Sequence, residues 1–244
     1  TKADCPTTDE QKAEVDKRRY HSVAMSLNYL VGTTRDDMRF VQGKMAKYCS
    51  NPGLEHVKIQ KHAIRYLKGT LDYGIEFIWR ASDPTPTDGP LVIEAWTDSS
   101  YADDYDTART TLGDVLKVNG VTVSASSRLS ARVDSCVNHS ELKAFSNACT
   151  TPARGELTDG ASMALARTSR SIAWLRGVKA ALERRDVDKM PPTPVYVDNA
   201  GVISMIEGAT IKSANKHIYK TLAENRDRVN LDKAVIAVKI DTKD

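Results

Sequence analysis

Leu91-Val92-Ile93-Glu94-Ala95-Trp96-Thr97-Asp98 is an apolar run with β-branched residues, preceded by Asp88-Gly89-Pro90 and closed by a carboxylate. It predicts a central strand that carries Asp98 to the edge of a sheet. Val195-Tyr196-Val197 ends on Asp198 in the same way, and Glu141 lies on a helical stretch between the two strands. Two strands that each finish in Asp, with such a Glu between them, suggest a site for hard divalent cations. Mg²⁺ takes oxygen ligands and few of them from protein, and two such ions can clamp a phosphodiester during in-line displacement.

Working outward, strands are predicted at 112–118 and 121–127, joined by Asn119-Gly120, a strong signal for a tight hairpin. Further strands are predicted at 194–198 and 234–240, with helices between them, which gives a mixed α/β sheet of five strands. Upstream, helices are predicted at 20–31, 36–49 and 54–68. In the third, Leu54, Val57, Ile64 and Leu67 share a stripe, and Gly69 stands where a helix stop is expected. A strand is predicted at 74–79. The breaker-rich Ala81-Ser82-Asp83-Pro84-Thr85-Pro86-Thr87-Asp88-Gly89-Pro90 marks a domain boundary, dividing the chain into a helical segment, 1–82, and an α/β domain, 90–244.

Five ordered stretches carry a family resemblance: Tyr20-His21-Ser22-Val23-Ala24-Met25-Ser26-Leu27-Asn28-Tyr29-Leu30, Thr34-Arg35-Asp36-Asp37-Met38, Ser50-Asn51-Pro52-Gly53-Leu54-Glu55-His56, Ile64-Arg65-Tyr66-Leu67-Lys68-Gly69-Thr70 and Lys216-His217-Ile218. In this order and at about these spacings they resemble the C-terminal part of copia-type LTR retrotransposon Pol polyproteins, from the end of reverse transcriptase into ribonuclease H. The resemblance covers nearly the whole chain. It implies a ribonuclease H-like mixed five-stranded sheet with flanking helices, preceded by a small helical thumb- or connection-like segment. The opening, without Met and already similar to mid-polyprotein sequence, leaves an excised fragment and a complete gene product equally open.

The activity implied is cleavage of the RNA strand of RNA/DNA hybrids with two Mg²⁺ (or Mn²⁺) ions and four carboxylates. Carried over by position, Asp98 bridges the ions, and Asp198 and Glu141 hold one of them. The fourth Asp of the family directly follows Lys-His-Ile, and here Lys216-His217-Ile218 is followed by Tyr219. A neutral phenol is a poor Mg²⁺ ligand, and Glu224, five residues on, is about 7.5 Å along a helix and turned away. Catalysis is therefore expected to be impaired or lost.

The family runs one helix from the catalytic Glu to a Trp-Leu-Arg, but two frames compete here. Counting forward from Ser126-Ser127, Glu141-Leu142-Lys143-Ala144-Phe145-Ser146-Asn147-Ala148 opens that helix; counting back from Trp174-Leu175-Arg176, Ala161-Ser162-Met163-Ala164-Leu165 does. The frames differ by 161 − 141 = 20 residues, so an insertion of about twenty residues is expected near 147–161. If it follows the first helix, Glu141 is the catalytic glutamate. If it precedes the helix, the carboxylate is gone. The retained residue type favours Glu141.

Lys58, Lys61, Arg65 and Lys68 stack along one face of the third helix. This is either a solvated face or one that tracks phosphates without reading bases. With Asn199, Lys216 and His217, these are the candidate nucleic-acid contacts. Plainer readings stand beside them: an N-cap role for Asp198-Asn199, a merely hydrogen-bonded His217, and core positions for Trp96 and Trp174. A net charge of +3 permits a nucleic-acid partner without demanding one. The four scattered cysteines, with no Cys-x-x-Cys pair, point to free thiols in a reducing intracellular compartment, in cytoplasm, nucleus or organelle matrix. No apolar run is long enough to span a membrane. Two functions follow: a hybrid-cleaving enzyme by descent, or a catalytically inactive pseudoenzyme that binds nucleic acid or serves as a structural subunit among protein partners.

Overall fold

Asn119 and Gly120 turn the chain through two successive left-handed residues, φ 50° and 79°, the conformation that a two-residue hairpin between twisted strands requires. In the computed structural model, which describes residues 1–16, 19–77, 91–149, 172–208 and 218–240, this turn joins β2 (Arg109–Val118) to β3 (Val121–Leu129). Before them runs β1 (Ile93–Asp104), and after them β4 (Thr193–Val197) and β5 (Val235–Lys239). The sheet order is β3-β2-β1-β4-β5. β1–β2 and β2–β3 are antiparallel, whereas β1–β4 and β4–β5 are parallel. This is a ribonuclease H-like α/β fold, and all five strands are found near their expected places, except that β1 runs past its expected end at Asp98 to Asp104.

Parallel neighbours need a crossover, and helices provide it. α5 (Val137–Cys149) packs on β1 and β2; α6 (Ile172–Glu183) and α7 (Ala200–Glu207) flank β4 in sequence; α8 (Tyr219–Arg226) packs on α5 and α7. Ala95, Leu116, Val195, Val197 and Ala237 meet Leu142, Phe145, Val202, Ile206 and Leu222 in one core. On β1 the inward positions are Ile93, Ala95 and Thr97, while Glu94 and Trp96 on the other face are half-buried. Trp96 stacks on Tyr196 at 5.0 Å, with the Lys117 ammonium 4.7 Å from its ring. The core expectation fails for Trp174, which is 43% exposed because its position on α6 faces away from the buried Ile172, Arg176 and Ala180.

The first half forms helices α1 (Asp9–Asp16), α2 (Tyr20–Thr33), α3 (Arg39–Lys47) and α4 (Leu54–Gly69) around a separate core of Val15, Tyr20, Ala24, Leu27, Val31, Met38, Met45, Val57 and Ala63. The buried face of α4 differs from the aliphatic stripe expected. Leu54 and Ile64 are 44% and 41% exposed, and His56 and Gln60 are buried instead, because each has a backbone partner. Gly53 N–H donates to His56 Nδ1 at 2.9 Å, and Gln60 Nε2 donates to the Tyr20 carbonyl at 2.8 Å. Residues 74–77 belong to no strand, which corrects the strand expected at 74–79; its last two residues, the domain boundary and most of the insertion lie outside the described residues.

Two of the stretches that carry the family resemblance, 34–38 and 64–70, touch one another. Arg35, buried, holds Asp37 with two hydrogen bonds (2.9 and 2.8 Å) and Thr70 with two more (2.9 and 2.7 Å). Gly53 must be glycine, since a Cβ there would fall 1.7 Å from the Asp4 carbonyl oxygen. The helical half meets the sheet through Lys47, which bridges Asp104 and Asp106, and Lys44, 3.1 Å from Asp103.

Candidate metal centre

Thr97 of β1 pairs with Val197 of β4 in parallel register. One residue further, Asp198 leaves the end of β4 beside Asp98, which lies within β1 where its pairing with β4 stops; both are exposed. The third carboxylate comes from the first turns of α5. Glu141, Leu142, Ala144, Phe145 and Ala148 form the face of α5 that is pressed to the sheet, so Glu141 is buried, 4% exposed. One ligand oxygen from each of Asp98, Glu141 and Asp198 lies within 4.8 Å of the other two.

The two oxygens of Glu141 differ. Oε1 accepts a 2.7 Å hydrogen bond from Ser99 Oγ, whereas Oε2 is buried without a hydrogen-bond partner among the described residues. Burial raises the Glu141 carboxyl from its ordinary 4.5 to about 7; the charges of Asp98 and Asp198 push the same way, against the Ser99 hydrogen bond. A buried carboxylate with one oxygen unpartnered, close to two further carboxylates, is costly unless a cation joins them. The donor set is three hard oxygens, which suits Mg²⁺ or Mn²⁺ rather than a soft metal.

The other sequence candidates are placed as follows. Asn199 caps α7, its Oδ1 accepting from Gly201 and Val202 N–H at 3.0 and 3.2 Å, and its Nδ2 donating to Asn138 Oδ1 at 3.3 Å. The capping reading of this residue therefore stands. Tyr219 opens α8 and is 58% exposed. Lys58, Lys61, Arg65 and Lys68 all lie on the exposed side of α4, far in sequence from the carboxylates. Ala161, Lys216 and His217 lie outside the described residues.

Sequence reasoning missed Ser99 and Ser140. Strand alternation contained the signal for the first, because Ser99 continues the inward series of Ile93, Ala95 and Thr97 beneath α5. It also missed Arg176, buried on α6, whose guanidinium donates to the carbonyls of Pro191 (2.6 Å), Val187 and Met190 (both 3.3 Å) and to Thr193 Oγ1 (3.2 Å). These contacts fix the approach to β4 and hence the level at which Asp198 leaves it.

No family model matches the chain. It is 27% identical over 240 residues to the retrovirus-related Pol polyprotein from transposon TNT 1-94 of Nicotiana tabacum, covering 98% of this chain and 16% of that polyprotein. Over 203 residues it is 24% identical to the Pol polyprotein from transposon RE2 of Arabidopsis thaliana, covering 83% of this chain and 12% of the other. Over most of its length the chain is thus similar to retrovirus-related Pol polyproteins of transposons. It spans about a sixth or less of the length of those relatives. It is also 31% identical over 129 residues, 53% of this chain and 85% of the other, to a protein named secreted RxLR effector protein 161 of Plasmopara viticola. Among solved structures it is similar to LC11-RNase H1 isolated from compost (TM-score 0.38, 14% identity, 62% of this chain and 86% of that one). A complex of LC11-RNase H1 with an RNA/DNA hybrid matches over the same shares at 0.36 and 12%. The fold of the chain rests on its strand order. Among its described residues no helix is long and apolar enough to cross a membrane.

Proposed function

We propose that this chain carries a ribonuclease H-type site that hydrolyses the RNA strand of RNA/DNA hybrids, in a form weakened at one of four carboxylate positions. The supporting observation is that Glu141, whose buried Oε2 has no hydrogen-bond partner among the described residues, brings a carboxylate oxygen within 4.8 Å of those of Asp98 and Asp198. In this reading Asp98 would serve both divalent ions, and Glu141 and Asp198 would hold one of them. Bound Mg²⁺ or Mn²⁺ would supply charge compensation at the scissile phosphate and a nucleophilic water near neutral pH. Asp98 and Asp198 are fixed by the sheet and Glu141 by α5, so the protein contributes a preorganised anionic cleft that needs little rearrangement to bind cations.

Tyr219 is the weakness. It stands where the family carries the fourth Asp, and a neutral phenol adds no charge to hold an ion. Glu224 does not replace it: it is exposed on α8 and lies 4.0 Å from Lys220. This observation favours a second reading, a catalytically inactive nucleic-acid-binding or structural subunit that uses the basic face of α4. Two separate cores support dividing the chain into a helical segment, 1–82, and a ribonuclease H-like part, 90–244. The free thiols of Cys5, Cys49, Cys136 and Cys149 fit a reducing intracellular compartment.

The deciding experiment incubates the chain with an end-labelled RNA/DNA hybrid in Mg²⁺ and then Mn²⁺, beside Asp98→Asn. RNA cleavage that disappears in the variant supports the enzyme. Hybrid retained at low salt and left intact in both metals assigns the second reading.

A further inference from the structure

The geometry points to Ser99, backed by Ser140, as the positioning residue that turns Glu141 Oε2 toward the other two carboxylates; this inference rests on the metal-site reading above. Ser99 Oγ lies 2.7 Å from Glu141 Oε1 and 2.8 Å from Ser140 Oγ. Ser140 Oγ lies in turn 2.6 Å from the Val137 carbonyl, one helical turn back. A hydrogen bond to one carboxylate oxygen restricts rotation of the group and leaves the other oxygen for a cation. Ser99 ties Oε1, and Oε2 is left without a partner among the described residues.

The proton count gives this chain a direction. Each serine has one O–H to donate. Toward an ionised Glu141, Ser99 donates its proton to Oε1, and Ser140 can turn its own proton from Val137 to Ser99. The Val137 carbonyl does not depend on it, since the α-helix supplies it with the Glu141 N–H. Two hydroxyl dipoles then point at one carboxylate, and both residues sit on rigid elements, the edge of β1 and the first turns of α5. Neither serine is itself a metal ligand in this reading. Partners behind a metal ligand commonly decide its orientation and change metal affinity by about 10- to 100-fold when removed.

The test measures Mn²⁺ binding, by the electron paramagnetic resonance signal of free Mn²⁺ at one fixed pH, with no nucleic acid present. Ser99→Ala is expected to weaken Mn²⁺ affinity about tenfold or more while circular dichroism and melting temperature stay close to those of the parent. Ser99→Thr, which keeps the hydroxyl, restores affinity, and Ser140→Ala gives a smaller loss of the same kind. In a Glu141→Gln background, Ser99→Ala produces no further loss, because the serine acts through that carboxylate. Unchanged affinity in a folded Ser99→Ala protein overturns the positioning role and leaves the metal site standing. So does an equal loss in the Glu141→Gln background. Failure of the parent protein to bind Mn²⁺ at all sinks the metal-site reading and this inference together.

Discussion

Asp98 and Asp198 stand side by side because Thr97 and Val197, the residues before them, are register partners on adjacent parallel strands. Their carboxylates and that of Glu141 come within 4.8 Å of one another. Like charges at this distance destabilise the metal-free protein, a common cost of a functional site. Asp98→Asn should therefore raise the melting temperature in EDTA by a few degrees, on the order of 1 kcal/mol. It should also remove most of the stabilisation that Mg²⁺ or Mn²⁺ gives the parent. Thermal melts with and without metal check both; a variant less stable than the parent in EDTA, or still stabilised equally by metal, counts against the site.

Glu141 makes the metal-free protein sensitive to pH. Its carboxyl titrates at about 7 in the fold against an ordinary 4.5, chiefly through burial. A raised carboxyl favours the protonated form of the folded protein. Its stabilising contribution is complete below pH 4.5, is lost as pH rises to about 7, and changes little above that. The difference corresponds to about 3 kcal/mol. In EDTA, unfolding by urea should show stability falling from about pH 5 to pH 7.5, and Glu141→Gln should flatten that slope. Mg²⁺ should restore stability selectively at the higher pH. An opposite slope, or one unaffected by Glu141→Gln, rejects the assignment.

The strands, the hairpin and the two aspartates were legible because each depends on local sequence. Apolar runs end in breakers, Asn119-Gly120 adopts the turn it specifies, and Asp98 and Asp198 each directly follow such a run. Glu141 was legible only as one of two alternatives, since the choice depended on an insertion that periodicity does not locate. Its proximity to Asp98 is a property of α5 packing on β1. Ser99 was readable in principle from alternation, but nothing local says that a serine hydroxyl meets a glutamate 42 residues on. Trp174 was misread because residue-type averages place Trp inside. The aliphatic stripe expected on α4 was misread because a specific backbone partner lets a polar side chain, His56 or Gln60, take a buried position.

Arg176 is the structural residue whose loss should be felt most directly at the site without touching it. Buried, it satisfies three carbonyls and a hydroxyl between Val187 and Thr193. Burial lowers its pKa, but an arginine keeps its charge at any ordinary pH. Arg176→Met fills similar space and leaves those carbonyls without donors, at a cost of about 2–4 kcal/mol. Denaturant unfolding should show that loss, with hydrogen exchange rising first in residues 187–193. A neutral substitution would mean that the segment holds itself by other contacts.

The basic face of α4 predicts a different signature, in salt dependence rather than stability. Lys58, Lys61, Arg65 and Lys68 are all exposed, and the first and last lie about 15 Å apart along the helix. Lys58 is paired with Glu55 at 2.6 Å and must exchange one partner for another, so it should contribute less. If this face tracks the backbone of a hybrid, Ala at Lys61, Arg65 or Lys68 weakens binding to every sequence alike. Each substitution should lower the slope of log affinity against log salt by about 0.9, the counterion release of one phosphate contact. Fluorescence anisotropy between about 50 and 200 mM salt, where several phosphate contacts change affinity by orders of magnitude, resolves a change of that size. A slope that survives removal of all four charges makes this face an ordinary solvated helix surface and moves the nucleic-acid footprint elsewhere on the chain.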